Sequence, residues 1–174
     1  MKTTIIILAI LAVSFLNGYG QTIDSEKSVV TIHAFHGDGS MVEATIKGMQ
    51  GTVKFLPDLP GQSHFTVCID PSTFNSDIGF RNFHIKSYAY LNARKYPEIC
   101  FESLQIVSER EGYRVTGNLT LHGVTKKVDF PFTYINGILE GSLKINRYDY
   151  EIGNQNEDRV APEVDVMIKC VLKE

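Results

Sequence analysis

Residues 112–147 carry the clearest structural pattern in the chain, GYRVTGNLTLHGVTKKVDFPFTYINGILEGSLKINR. Apolar and polar residues alternate along three runs with a period of two, which is typical of strands with one buried and one solvated face. His122-Gly123 and Asn136-Gly137 separate the runs, and both residues of an Asn-Gly pair accept the positive φ of a tight hairpin turn. The stretch therefore predicts three antiparallel strands in series, at 112–122, 124–135 and 137–147.

The same alternation continues on both sides of this stretch. It predicts further strands near 28–36, 42–49, 51–56, 63–70, 98–108 and 163–172. Eight or more such strands can close on themselves and leave no long edge. We therefore expect an all-β fold, an antiparallel closed β-barrel of about eight strands. A two-sheet sandwich would produce the same alternation and stays open as an alternative.

Pro131 lies inside the predicted strand 124–135. A proline has no backbone N–H and cannot donate to a strand ladder. We therefore expect a bulge or a locally open edge in this strand.

The apolar residues of several strands share one face, which we expect to point inward. In an eight-stranded barrel this face surrounds either a packed core or one small ligand. The inward residues predicted to line a ligand cavity are Phe65, Val67, Val115, Leu119, Leu121, Leu143, Val166 and Ile168.

The segment 78–96, IGFRNFHIKSYAYLNARKY, lacks clean alternation, and Pro97 ends it. We expect a short helical segment around 79–91 that covers one end of the barrel. A spacing of three places Arg81 and His84 on the same side of such a helix. They either bind the polar group of a ligand or form structural contacts that hold the helix in place, and both hypotheses stay open.

Arg147 ends the apolar face of the strand 137–147. A buried guanidinium without a partner would be very costly. We therefore expect Arg147 to meet an acid, such as Asp149 or Glu102, or the anionic group of a ligand.

The N-terminus is typical of a secretory signal peptide, residues 1–20. Lys2 precedes an apolar run from Ile5 to Leu16, and Gly18 and Gly20 supply small residues before a cut at Gln21. The mature protein, 21–174, is then one domain in the periplasm or outside the cell, without stable membrane insertion.

The net charge of −3 becomes −4 without residues 1–20, because Lys2 is their only charged residue. Such a mildly acidic surface argues against a nucleic-acid partner, and also against electrostatic attraction to anionic lipid.

The three cysteines, Cys68, Cys100 and Cys170, form no C-x-x-C pair. We interpret them as small buried residues, with one disulfide as an alternative. Because their number is odd, at least one is free or pairs between chains, and a homodimer stays open.

The sequence predicts no metal site, no cofactor and no catalytic site. His33 and His36 fall on opposite faces of a strand, and the other histidines are scattered. The chain contains no G-x-S-x-G, no glycine-rich phosphate loop and no H-E-x-x-H.

Three segments in order resemble the YceI-like family of secreted bacterial polyisoprenoid-binding proteins: FRNFHIKSYAYLNARKYPEICFES (80–103), GNLTLHGVTKKVDFPFTY (117–134) and GSLKINRYDYEIG (141–153). The family pattern Arg-Asp-x-His matches at Arg81 and His84, whereas Asn82 replaces its acid. The resemblance implies a lipocalin-like barrel that holds a long isoprenoid chain in its cavity.

Two functions are compatible with this sequence. The first is non-enzymatic binding, sequestration or transport of an isoprenoid lipid, a polyprenyl chain or a quinone. The second is a secreted interaction or structural β-module whose core is filled by its own side chains.

Overall fold

The structure is a computed structural model that describes residues 20–154 and 160–173. Its strands are β1 Gln21–Thr22, β2 Val29–His36, β3 Met41–Ile46, β4 Gln50–Lys54, β5 His64–Ile69, β6 Ile99–Glu109, β7 Gly112–Leu121, β8 Val124–Ile135, β9 Ile138–Asn146 and β10 Val160–Val171. The helix α1 spans Gly79–Lys86, and short 3-10 helices span Pro60–Gln62, Pro71–Thr73 and Arg147–Tyr150. The predicted signal peptide lies outside the described residues, apart from Gly20.

These strands form one antiparallel sheet in the order β1-β4-β5-β6-β7-β8-β9-β10-β2-β3. The predicted all-β antiparallel class with a short helix is confirmed. The prediction of about eight strands was wrong, because the described residues contain ten. The ladder begins at β1 and ends at β3, so the sheet is a half-barrel, and the predicted closed ladder is not observed.

The predicted turns position the central hairpins. Asn136 and Gly137 both have positive φ, at 49° and 78°, and His122 and Gly123 have φ of 53° and 79°. Positive φ at both central residues gives a turn whose twist matches that of the flanking strands. The nine strands predicted from alternation all occur, with ends within three residues of those predicted.

The expected open edge at Pro131 is confirmed. The β8–β9 ladder starts beside the 136–137 turn and stops at the pair Phe132–Gly141. Beyond that pair β9 continues along β10 as far as Asn146, while β8 continues along β7. The two strands therefore separate at the proline, and the 3-10 segment Arg147–Tyr150 follows directly after β9.

Two other sets of backbone hydrogen bonds involve the edges of the half-barrel, one beside β1 and one along β3. The N–H of Asp24 donates to Val171 O at 2.8 Å, so the chain after β1 meets the end of β10 as well as β4. On the other side, Thr45 of β3 and Asn75 exchange backbone hydrogen bonds of 2.8 and 2.9 Å. The segment after β5 therefore runs along the edge of β3.

The cysteines differ from our preferred interpretation. Cys68 and Cys100 lie directly opposite each other on β5 and β6 and form a disulfide, so two of the three are not free. Cys170 is a free thiol, 6% exposed, and burial raises its pKa to about 11. A buried, protonated thiol offers no route to a disulfide between chains.

The helix α1 is shorter than predicted, because the chain continues beyond Lys86 as turns up to residue 96. Among the described residues, no helix combines the length and the apolar character needed to cross a bilayer.

Candidate functional site

The inner face of the half-barrel surrounds an apolar cavity of about 420 Å³. Every strand from β2 to β10 contributes to its wall. All eleven residues predicted to bind a ligand line this one cavity: Arg81, His84, Arg147, Phe65, Val67, Val115, Leu119, Leu121, Leu143, Val166 and Ile168. The alternation therefore predicted the facing of the strands correctly, and ligand contact at these residues stays a prediction.

Aromatic rings close the end of the cavity near the 136–137 turn. Phe55 lies at the centre, with its ring centroid 4.8 Å from Tyr113, 4.9 Å from Tyr134, 5.5 Å from Phe132 and 5.9 Å from Phe65. Most of these pairs are edge-to-face, the arrangement that ring quadrupoles favour. Phe65 and Phe132 also line the cavity, so this cluster forms its floor.

Two glycines allow aromatic rings to lie against the wall of the cavity. A Cβ at Gly117 would come within 2.4 Å of the Phe101 ring, and one at Gly141 within 3.2 Å of the Phe130 ring. The Phe101 and Phe130 centroids are 5.4 Å apart. The absence of a side chain at these inward positions thus lets both rings pack close to the sheet and leaves the space beyond them for the cavity.

The other end of the cavity is its mouth, where α1 and the turns after it contribute Arg81, His84, Ile85, Tyr90 and Leu91 to the wall. The His84 ring packs 4.8 Å from Tyr90 and 6.4 Å from Phe80. The helix therefore lies where it was predicted, over one end of the sheet.

The arginine and histidine side chains in the wall share one chemical character, that of nitrogen hydrogen-bond donors. The charged or titratable nitrogen groups are His36, Arg81, His84 and Arg147, and no Asp or Glu occurs among the described residues that line the cavity. All four lie at the mouth: His36 ends β2, Arg81 and His84 belong to α1, and Arg147 directly follows β9. This end of the cavity can therefore donate hydrogen bonds to an anionic or strongly polar group.

Arg147 is buried, at 6% exposed, and its guanidinium donates to several neutral oxygens of the described residues. Nη2 donates to the Tyr148 hydroxyl at 2.8 Å, and the group lies 4.2 Å from the Tyr148 ring. Its backbone acceptors are Ala161 O at 3.1 Å, Ile152 O at 3.0 Å and Val160 O at 2.8 Å. The predicted acid Asp149 instead pairs with Lys126 at 3.7 Å. Arg147 thus joins the end of β9 to the start of β10 and also faces the cavity.

Asn82 connects α1 to the loop before it. Its Oδ1 accepts from the N–H and from the hydroxyl of Ser76, both at 2.8 Å, and its Nδ2 donates to Asn75 Oδ1 at 2.8 Å. An aspartate could accept both bonds from Ser76 but could not donate to Asn75. The asparagine that departs from the resembled pattern therefore holds the helix to the loop that runs along β3.

Two other groups of potential ligands lie outside the cavity. His33 Nε2 lies 3.0 Å from Glu43 Oε2, and neither residue lines the cavity wall. Cys68, Glu98 and Cys100 lie close enough together to be considered as metal ligands, but the two sulfurs are joined in the disulfide.

Sequence reasoning missed several wall residues. His36 ends the inward face Val30, Ile32, Ala34 of β2, so the alternation could have identified it. The same holds for Val128 and Phe130 of β8. Tyr90 and Leu91 follow α1 in irregular structure, where no sequence periodicity indicates which side chain faces inward.

Comparison with known proteins identifies similar chains. The family model of the YceI-like domain matches residues 21–172. A UPF0312 protein of Enterobacter sp. (strain 638) is 28% identical over 97% of this chain and 95% of its own length. The crystal structure of Burkholderia cenocepacia BcnA has a TM-score of 0.81 at 28% identity, covering 87% of this chain and 99% of that one. A polyisoprenoid binding domain from Saccharophagus degradans, implicated in plant cell wall breakdown, has a TM-score of 0.68 at 15% identity, covering 89% and 98%.

Proposed function

We propose a lipid-binding function from one premise: this chain belongs to the family of YceI-like domain proteins. The proposed ligand is an isoprenoid lipid, either a polyprenyl chain or a quinone, whose hydrocarbon chain enters the cavity. The proposed role is binding, sequestration or transport, without catalysis. The Saccharophagus degradans domain, which has the same fold, supports this ligand class by its description as polyisoprenoid-binding.

The observation that carries the proposal is the apolar cavity of about 420 Å³ with a ring cluster at one end and polar donors at the other. Each CH₂ group that moves from water into such a space contributes about 0.8 kcal/mol. A hydrocarbon chain therefore needs no polar partner along the wall. In this proposal the hydrocarbon chain lies along the apolar wall, and the head group lies at the mouth beside the polar donors.

We infer that the half-barrel encloses its ligand on all sides, as a lipocalin-like barrel does, although its ladder of strands is open. The backbone bonds between Thr45 and Asn75 support closure along β3. The Asp24–Val171 bond supports it along β10, and α1 covers the mouth. Each of these contacts covers part of an opening, and none of them joins β1 to β3 directly.

The mouth supports a ligand with an anionic or strongly polar head group. Arg81 and His84 line it, and carboxylates are absent from the described residues of the wall. An arginine remains charged at any working pH and forms charge-assisted hydrogen bonds with oxygen anions. We therefore assign head-group binding to Arg81 and His84.

The alternative, a β-module with a self-filled core, receives support from one feature. The cluster around Phe55 fills the floor end with the protein's own rings. The remaining volume toward the mouth favours the lipid hypothesis, because a self-filled core would leave few voids larger than a water molecule.

Native mass spectrometry of the protein purified from its own host separates these two functions. We expect an added mass under native conditions that disappears under denaturing conditions, and a prenyl lipid in the organic extract. If the native mass equals that of the polypeptide, even after incubation with a polyprenol, the self-filled module is the better description.

Export is part of the proposal, since the predicted signal peptide and the Cys68–Cys100 disulfide both suit an oxidising compartment. Intact mass after expression in a secreting bacterium should show a mature protein that begins at Gln21. Retention of residues 1–20 in a membrane fraction would show instead that they form an anchor.

A further inference from the structure

Exposed apolar side chains gather around the mouth of the cavity. Among the described residues, six large ones lie at this end of the half-barrel, and we call them the rim: Phe35, Met41, Ile78, Phe80, Phe83 and Tyr88. Tyr88 is 84% exposed, Phe80 82% and Phe83 77%. Several large apolar side chains exposed at one end of a protein are typical of a surface that another apolar surface covers.

The rim adjoins the cavity through shared elements. The helix α1 directs Arg81, His84 and Ile85 into the wall, while Phe80 and Phe83 of the same helix stay exposed. On β2 and β3, Phe35 and Met41 pair in register, and the next residue, His36, lines the cavity. Whatever contacts the rim therefore lies directly beside the opening.

The charge of the segment 78–96 indicates the chemistry of the partner. This segment contains Arg81, Lys86, Arg94 and Lys95 and no Asp or Glu, in a chain of net charge −3. None of these four cations takes part in the ion pairs found among the described residues. Lys95 instead lies over the Tyr96 ring, with its Nζ 4.9 Å from the ring centroid. Exposed aromatic residues beside exposed cations are typical of surfaces that lie on anionic bilayers. The side of the rim formed by α1 and the turns after it is therefore positive, whereas Asp38 lies in the turn between Phe35 and Met41 and Asp77 directly precedes Ile78.

We propose that the rim docks reversibly on a phospholipid bilayer that contains anionic lipid, with the cavity mouth against the membrane. This inference rests on the proposed isoprenoid ligand. Such a chain is nearly insoluble in water, so direct contact between the mouth and the bilayer gives it a path that avoids water. A second copy of the protein on the rim would cover the mouth without giving the ligand a lipid phase to enter, which is why the bilayer is the proposed partner.

The first test is flotation with vesicles of phosphatidylcholine, with and without phosphatidylglycerol. The rim variant is Phe83→Ser/Tyr88→Ser, which leaves Phe80 in place because its ring stacks on His84. The control is Leu59→Ser/Ile135→Ser, which removes two side chains that are 53% and 65% exposed at the floor end. We expect the rim variant to lose vesicle binding by at least about tenfold, because each aromatic ring contributes apolar area, and the control to bind like the wild type.

The second variant tests the charges. Lys86→Gln/Arg94→Gln should weaken binding to phosphatidylglycerol vesicles and leave binding to pure phosphatidylcholine unchanged. Added salt should produce the same selective loss in the wild type, since it screens exposed charges. Thermal melts of each variant establish that it folds.

The outcomes separate docking from ligand binding. Titration with farnesol in the absence of vesicles tests the cavity alone, and all these variants should bind it equally. If farnesol does not bind while flotation depends on the rim, the proposed function fails and the docking surface stands. Equal flotation of the folded rim and control variants, or a wild type that does not float, would overturn the docking proposal. So would a wild-type dimer that the rim variant converts to monomers.

Discussion

Replacing Leu119 with tryptophan should block the cavity between its mouth and its floor. Leu119 faces inward on β7, opposite Phe101 of β6 and Lys126 of β8, and lines the cavity. Leu121, closer to the mouth, and Val115, closer to the floor, share its face. With a rise of about 3.3 Å per residue, about 13 Å of wall separates Leu119 from Val115. An indole at position 119 would therefore prevent a ligand that enters at the mouth from reaching the part of the cavity between Leu119 and the floor.

The magnitude follows from the buried length that the ligand loses. Each buried CH₂ contributes about 0.8 kcal/mol, so exclusion of one five-carbon isoprene unit costs about 4 kcal/mol. That loss corresponds to an increase in Kd on the order of a thousandfold. Partial burial of the displaced unit elsewhere would reduce the loss, so a hundredfold weakening is the smallest effect we expect from this geometry.

The assay is equilibrium uptake of a fluorescent polyprenyl ligand, with folding checked by thermal melts. The matched control is Leu104→Trp, the same substitution at the bulge of β6, where the leucine is 57% exposed and outside the cavity wall. We expect Leu104→Trp to bind like the wild type. If well-folded Leu119→Trp also bound the ligand with near-normal affinity, the assignment of this wall as the binding surface would be wrong.

Three further predictions address the mouth, the helix and the core. Arg81→Ala should weaken the binding of a polyprenyl phosphate at least tenfold, because a charge-assisted hydrogen bond contributes about 1.5–3 kcal/mol. In parallel titrations the binding of an isoprenoid hydrocarbon without a head group should not change. Equal losses of affinity for both ligands would identify Arg81 as a structural contact. Asn82→Ala should lower the free energy of unfolding in urea by about 1–3 kcal/mol, because it leaves the Ser76 and Asn75 groups without this partner. Asn82→Asp keeps the Ser76 bonds and should lose less stability. A larger loss for Asn82→Asp than for Asn82→Ala would contradict the assigned bonds. Burial raises the pKa of the Cys170 thiol from 9.0 to about 11. The folded protein therefore keeps a proton that the unfolded chain releases above pH 9. The stability that this group contributes should be present below pH 9, and the free energy of unfolding should fall by roughly 2–3 kcal/mol as the pH rises to 11. Cys170→Ala should lack that part of the alkaline decline, and identical pH profiles for the variant and the wild type would rule it out.

Much of the candidate site was predictable because strand facing is a local property. Successive side chains in a strand point to opposite sides, so Val115, Leu119 and Leu121 share a face wherever the strand lies. The Asn136-Gly137 turn likewise depends on the φ preferences of two adjacent residues. For the same reason the inward facing of His36 and Val128 follows from the alternation of β2 and β8.

Other features depend on segments far apart in the chain. The two-residue strand β1 has no period to detect, and it forms because β4 and the end of β10 offer it hydrogen-bonding partners. The Cys68–Cys100 pair depends on the register between β5 and β6, which are separated by α1 and its turns. Arg147 was expected to meet an acid or the anionic group of a ligand, and only the tertiary structure places its guanidinium beside the carbonyls of Val160 and Ala161 at the start of β10.

Alternation and turn chemistry in this sequence determine that the chain forms antiparallel strands, which residues of each strand face inward, and where the helix interrupts them, because those properties follow from neighbouring residues. Only the tertiary structure decides that the inward faces leave a cavity, that rings around Phe55 fill one end of it, and that Arg81 and His84 line the other. The alternation for an open cavity and for a packed core is the same. The difference lies in how far apart opposite walls stand, and that distance is set by the number, register and curvature of all the strands together.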